Sequence, residues 1–146
     1  MVIAIFGESC TGKSTLAEAL KSPLKAAVYT GKDYLRLCRS PEDSQRQFRQ
    51  LLAAHVRGPE HLIYVLSETE LLSLLPEGCL RVLVTAELPD IEARFARRMG
   101  GALPPPVAAM LRRKHGCFDS EPHDLHIHTG ETGVETACQA VLARIR

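Results

Sequence analysis

The chain has 146 residues, 45% of them hydrophobic and 24% charged, and its 18 Lys and Arg against 17 Asp and Glu leave a formal net charge of +1. That length suits one domain with a core that needs no metal or disulfide, and the composition excludes a disordered, collagenous or coiled-coil chain. The near-zero charge excludes a global basic field for wrapping nucleic acid.

Val2 to Phe6 is wholly apolar and predicts a strand buried on both faces, followed by a loop from Gly7 to Gly12. Ser14 to Lys21 has a helical pattern that stops near Pro23. Ala26 to Thr30 predicts a second strand, and Tyr34 to Cys38 the start of a helix. Pro41 to Arg57 is a stronger helix, with Ser40 as its cap and Pro41 in its first turn. His61 to Leu66 predicts a third strand, Glu68 to Leu75 a short helix, and Leu80 to Ala86 a fourth strand. Pro89 to Met99 predicts a helix, Gly100 to Pro106 a loop, and Val107 to His115 a basic helix. Asp124 to Thr129 predicts a fifth strand and Thr132 to Arg146 a final amphipathic helix. Strands alternating with helices imply an α/β protein with a parallel sheet covered on both faces.

The opening apolar run is too short for a membrane span and has no basic stretch before it, so neither a secretory signal nor a bilayer anchor is expected. The cysteines, Cys10, Cys38, Cys79, Cys117 and Cys138, are odd in number and contain no C-x-x-C pair. They read as reduced thiols of a cytoplasmic protein.

The strongest chemical signal is Gly7-Glu8-Ser9-Cys10-Thr11-Gly12-Lys13-Ser14-Thr15, which fits G-x-x-x-x-G-K-[ST] between a predicted strand and a predicted helix. Its glycines let the backbone curl so that successive N–H groups, Cys10 and Thr11 among them, face an anion. The following helix adds the positive end of its dipole. In such a loop Lys13 reaches the β- and γ-phosphates, Ser14 ligates Mg²⁺, and Thr15 supports the helix start and the α-phosphate. Cys10, if accessible there, would also be a site of oxidation.

A charge asymmetry is the second signal. Arg94, Arg97, Arg98, Arg112, Arg113 and Lys114 fall in a stretch with no acidic residue, and removing those six from the total leaves the rest of the chain at −5. Basic residues on both sides of a Gly/Pro loop suit a lid that closes over a nucleotide and steadies charge on a transferring phosphoryl group.

The order of segments resembles the small P-loop kinases of the nucleoside monophosphate kinase superfamily, and the cytidylate-kinase-like proteins most closely. The likeness is carried by IFGESCTGKST, by VYTGKDYL, by LRVLVTAELPDIEARFARRM and by HDLHIHTGETGVETACQAVLARI. It implies the P-loop-containing nucleoside triphosphate hydrolase fold: a five-stranded parallel sheet in the order 2-3-1-4-5 between helices, a lid at about 97–115, and ATP with Mg²⁺ as donor. It carries Gly7, Gly12, Lys13, Ser14 and Thr15 over as donor-binding residues, and it puts Arg94, Arg98, Arg112 and Arg113 where lid arginines would be. Such kinases often end the third strand near an Asp that holds Mg²⁺; here Ser67-Glu68 stands there, with Glu68 as the substitute. The chain is also shorter than typical cytidylate kinases and lacks a large acceptor-binding insert.

On the acceptor side, Asp33 follows the second strand, where it could take a hydroxyl proton, bond a ribose, or cap the next turn. Arg36, Arg39, Arg46 and Arg49 flank it and could grip an anionic acceptor. His115, Cys117, His123, His126 and His128 crowd one stretch; His126 and His128 share a strand face, which raises zinc as a reading, though the spacing matches no standard signature. Together these features predict an ATP-dependent kinase with a small-molecule acceptor: a nucleoside monophosphate such as CMP first, a non-nucleotide metabolite second. The rivals are a nucleotide-binding regulator and an NTPase. No nucleic acid or membrane partner is expected of a monomer or homodimer.

Overall fold

Apolar runs without alternation belong in the middle of a sheet that is covered on both sides. The computed structural model, which describes residues 1–145, places Val2–Phe6 (β1) and Leu62–Leu66 (β3) there, buried at every position. Ala27–Thr30 (β2), Leu80–Thr85 (β4) and Leu125–His128 (β5) complete a wholly parallel sheet in the order β2-β3-β1-β4-β5. Ile3 stands opposite Ile63 on one side and Leu80 on the other, which fixes the register at the centre. This is the topology the resemblance to small P-loop kinases implied.

Alternate residues feed two cores. Ile3, Ile5, Val82, Val84 and Ile127 face Leu16 and Leu20 of Lys13–Leu24 (α1) and Val141 of Val134–Ile145 (α5). Phe6, Tyr64, Leu66 and Leu83 face Phe48 and Leu52 of Pro41–Arg57 (α2), together with Phe118. Phe48 meets Tyr64 edge-on at 4.9 Å and stacks on Tyr34 at 5.2 Å, geometries that aromatic quadrupoles favour. The hydroxyl of buried Tyr64 donates to the Gly31 carbonyl at 2.6 Å, so its oxygen is not stranded.

Several expected boundaries change for local reasons. The first helix does not stop before Pro23 but runs to Leu24. A proline there removes the donor that the Ala19 carbonyl would otherwise receive, and the Cys138 thiol of α5 donates to that carbonyl instead at 3.7 Å. Tyr34 to Cys38 forms only a 3₁₀ turn, Asp33–Arg36. Buried Ser44 of α2 accepts the Cys38 N–H at 3.0 Å and donates to the Leu35 carbonyl at 3.1 Å, so a side chain replaces helical bonding. The helix expected at Glu68 to Leu75 is likewise a 3₁₀ segment, Thr69–Leu74, which buries Leu71 and Leu74 three residues apart. Ser40 caps α2 as expected, accepting the Asp43 N–H at 3.1 Å.

Leu88–Arg98 (α3) and Pro105–Lys114 (α4) form a hairpin beyond the carboxyl edge of the sheet. The second helix starts within the run of prolines, whose fixed φ suits a first turn. Ile91, Phe95 and Leu111 pack this hairpin onto Cys10 and Ala86. The predicted end of the last helix at residue 146 lies outside the described residues. No helix among the described residues is long and apolar enough to cross a membrane.

Candidate active site

At the end of β1 the chain is still tied to β3, since the Gly7 N–H donates to the Leu66 carbonyl at 3.3 Å. A Cβ on Gly7 would lie 2.1 Å from the Val84 carbonyl oxygen, so only glycine lets the loop leave the sheet here. The turn then passes through left-handed backbone at Cys10 (φ 64°) and Gly12 (φ 102°). Gly12 caps α1 without a side-chain bond, and the first turn carries no acidic residue. The helix-start N–H groups therefore remain available to an anion.

Inside the loop, the Thr11 hydroxyl and the Lys13 ammonium both donate to the Glu8 carbonyl, at 2.9 and 2.5 Å. Lys13 is only 5% exposed. Burial pulls its ammonium down to about 8, and the nearby Arg98 guanidinium pulls the same way against Cys10 and Glu8. A buried cation with one carbonyl acceptor and a second positive charge beside it lacks anionic partners, and a polyphosphate supplies them. Ser14 is exposed, so its hydroxyl is accessible to a metal ion.

Two clefts flank the loop. The larger, about 460 Å³, is floored by Val84, Ile127 and Ala137 and walled by Thr15, Arg97 and Arg98. An apolar floor under guanidinium walls, beside a phosphate loop, suits a planar base. Arg94 also lines it, with Nη1 donating to the Cys10 carbonyl at 3.0 Å and to the Thr129 hydroxyl at 3.4 Å. The Thr129 hydroxyl donates in turn to the Thr85 carbonyl at 3.3 Å. Arg94 thus braces the loop against the ends of β4 and β5.

The second cleft, about 340 Å³, lies across the loop, with Glu8, Thr85, His115 and His126 in its lining. The Glu8 carboxylate, 10% exposed, accepts from His115 Nδ1 at 3.1 Å and from the Gly116 N–H at 3.0 Å. Nothing in the sequence pointed to this contact, because the partners lie more than a hundred residues apart and Glu8 occupies a variable position of the phosphate-loop motif.

Other expected residues are placed as follows. Glu68 lies two residues past the end of β3 and pairs with Lys32 at 3.6 Å; the pair is exposed and worth at most about 1 kcal/mol, so a metal can displace it. Asp33 Oδ2 accepts the Thr30 N–H at 3.2 Å, closing the turn after β2. Arg112 and Arg113 are exposed on α4 and line neither cleft. Arg46 and Arg49 turn to partners within the chain, the Asp43 carboxylate at 3.1 Å and the Ser73 carbonyl at 2.8 Å. Cys10 is buried, so the accessible thiol considered above is not what the loop presents. His126 and His128 share a strand face as expected, and among the described residues no group of three or more His, Cys, Asp and Glu is placed to hold a metal ion, so nothing here supports the zinc reading.

No protein-family model and no curated protein sequence matches the chain. Solved structures do match over almost its whole length. An uncharacterised protein from Eubacterium ventriosum has a TM-score of 0.69 at 19% identity, covering 99% of this chain and 98% of that one. The shikimate kinase of Acinetobacter baumannii in complex with shikimate has a TM-score of 0.68 at 15% identity, covering 99% and 92%. A gluconokinase from Sinorhizobium meliloti has a TM-score of 0.61 at 17% identity, covering 99% and 92%. The chain therefore has the P-loop nucleotide-binding fold, in the arrangement shared by small-molecule kinases. The likeness extends to that superfamily's fold and does not single out cytidylate kinases.

Proposed function

We propose that this protein is an ATP-dependent kinase of a small molecule. The observation that carries the reading is Lys13, a buried ammonium held in a phosphate loop beside a cleft walled by Arg97 and Arg98. ATP sits with its base in the larger cleft and its phosphates on the backbone N–H groups and Lys13. Arg98, close enough to depress the Lys13 ammonium, is the lid arginine best placed to reach the transferring group. Arg94 holds the loop in shape through the Cys10 carbonyl. The α3–α4 hairpin is the lid, and its apolar base on Cys10 and Ala86 keeps water from the loop.

The residues present fit a magnesium ion: the exposed Ser14 hydroxyl and, once released from Lys32, the Glu68 carboxylate would hold it. Bound there, Mg²⁺ would neutralise β- and γ-phosphate charge. The rest is positioning, since phosphoryl transfer asks little covalent chemistry of the protein. Nucleoside monophosphates such as CMP and non-nucleotide hydroxyl compounds are the two acceptor classes, with Asp33 on the acceptor side of the loop.

Two measurements test this. Lys13→Ala should abolish ATP binding in calorimetry, and a variant that binds normally overturns the donor site. An ADP-release screen over CMP and small hydroxyl metabolites should find an acceptor; release that no acceptor stimulates makes the protein an NTPase.

A further inference from the structure

Glu8 is an odd residue for a phosphate loop, because a carboxylate beside a polyphosphate is repulsive. The structure resolves this by turning the side chain to the far side of the loop, where His115 and Gly116 hold both of its oxygens. A carboxylate only accepts, so the proton between Glu8 and His115 sits on Nδ1. In the neutral ring that leaves Nε2 as the acceptor, the tautomer a base needs. The same Glu8 carries the Lys13 ammonium on its carbonyl. The imidazole and the ammonium that grips the γ-phosphate thus meet the same residue, and the imidazole lines the second cleft.

We propose that the second cleft binds the phosphoryl acceptor and that His115, oriented by Glu8, is the catalytic base, the acceptor being a hydroxyl compound without a phosphate or carboxylate group. In the step, His115 Nε2 takes the hydroxyl proton as the acceptor oxygen bonds to the γ-phosphorus. The bond to the bridging oxygen breaks with its electron pair leaving on ADP, and Glu8 steadies the imidazolium. The acceptor class follows from charge. The cleft is lined by three carboxylates, Glu8, Glu87 and Asp119, and by no arginine or lysine. Among the described residues the Glu87 carboxylate pairs with His128, at 3.2 Å. A phosphate-bearing acceptor would enter against negative charge with no guanidinium to receive it. Histidine and hydroxyl groups, such as His126 bonded to Thr85 at 2.7 Å and His123 beside it, suit a polyol or an amino sugar.

The inference rests on the kinase reading, and its test separates the two. The groups around His115 are Glu8 from the loop, Cys117 and Asp119 from its own segment, Glu87 after β4, and His123, His126 and His128 from the β5 side, with Lys13 beyond Glu8. ADP binding is measured first in the wild type; its failure sinks the kinase reading itself. Glucose, glucosamine, gluconate and CMP are then titrated while the imidazole Cε1–H resonances are followed by NMR, with His115 assigned from His115→Gln. Glucose or glucosamine should move the His115 resonance, and CMP should not. In the ADP-release assay with the better of the two, wild-type kcat should fall as pH drops from 8 to 5, because the base must be neutral. His115→Gln should lower kcat by about 10²-fold or more, lose that acid limb and keep its ADP affinity. Resonances that ignore both sugars, preferential phosphorylation of CMP or gluconate, or His115→Gln retaining kcat and the acid limb would each overturn the inference.

Discussion

Lys13→Met should stabilise the nucleotide-free protein. The side chain is only 5% exposed, and burial lowers its ammonium to about 8 from the usual 10.5. At about 1.36 kcal/mol per unit, keeping the cation inside costs the fold about 3 kcal/mol at neutral pH. Methionine keeps the length and removes the charge. The Glu8 carbonyl is not orphaned, because the Thr11 hydroxyl still donates to it at 2.9 Å. For a chain of this size the gain corresponds to a Tm increase of about 6–10 °C. The sign is fixed by the direction of the shift. A cation with a depressed pKa destabilises fully below the folded value of about 8, and the penalty fades as pH rises toward 10.5. The gap between variant and wild type should therefore be widest at neutral pH and shrink above about 8. Saturating ADP should narrow it from the other side, since at a hundred times Kd the wild type alone gains about 2.7 kcal/mol. Thermal unfolding at two pH values, with and without ADP, reads all of this. A variant no more stable than wild type, or a gap indifferent to pH, would refute the claim that the loop holds a desolvated charge awaiting an anion.

Gly7→Ala sets a methyl 2.1 Å from the Val84 carbonyl, so backbone has to move; urea unfolding should show a loss of about 3 kcal/mol or more, and near-native stability would mean that β4 yields. Tyr64→Phe removes the 2.6 Å bond to Gly31 in a buried site; a loss of about 1–2 kcal/mol with an unchanged m-value is expected, and no loss would mean water replaces the hydroxyl. Glu68→Gln should move the magnesium dependence of ATP turnover to higher concentration, whereas an identical titration would take Glu68 out of the site.

The strands were legible because their evidence is local, whereas their order was legible only through the resemblance to small P-loop kinases. Apolar runs such as Ile3 to Phe6 and Leu62 to Leu66 admit only a doubly covered strand, and the glycine spacing of the phosphate loop has one structural use. Helix ends were less legible where a distant group decides them. Pro23 is a stop by its own chemistry, and only the Cys138 thiol from the last helix makes it tolerable. Tyr34 to Cys38 has helical residues, yet Ser44 captures its backbone. The site divides in the same way. Lys13 and Gly12 announce themselves, whereas Arg94, expected as a lid arginine, shows its bracing contact only when its guanidinium is seen on the Cys10 carbonyl.

The phosphate loop is held from outside by chemically different means. Arg94 on α3 takes the Cys10 carbonyl, and the residues just after α4 take the Glu8 carboxylate. Between them Ile91 and Leu111 bury Cys10 itself. A loop that must present N–H groups to an anion has few internal bonds to spend on its own shape, so its rigidity has to be supplied by neighbours. Here the neighbours are both arms of the lid hairpin. A hairpin that moved freely would let the loop relax, so in the proposed kinase closure over a nucleotide would be confined to the tip between the helices, where Gly100 and Gly101 both adopt left-handed backbone. The basic residues on either side of that tip then have distinct tasks: Arg94 braces, Arg98 stands near Lys13, and Arg112 and Arg113 remain on the outer face of α4.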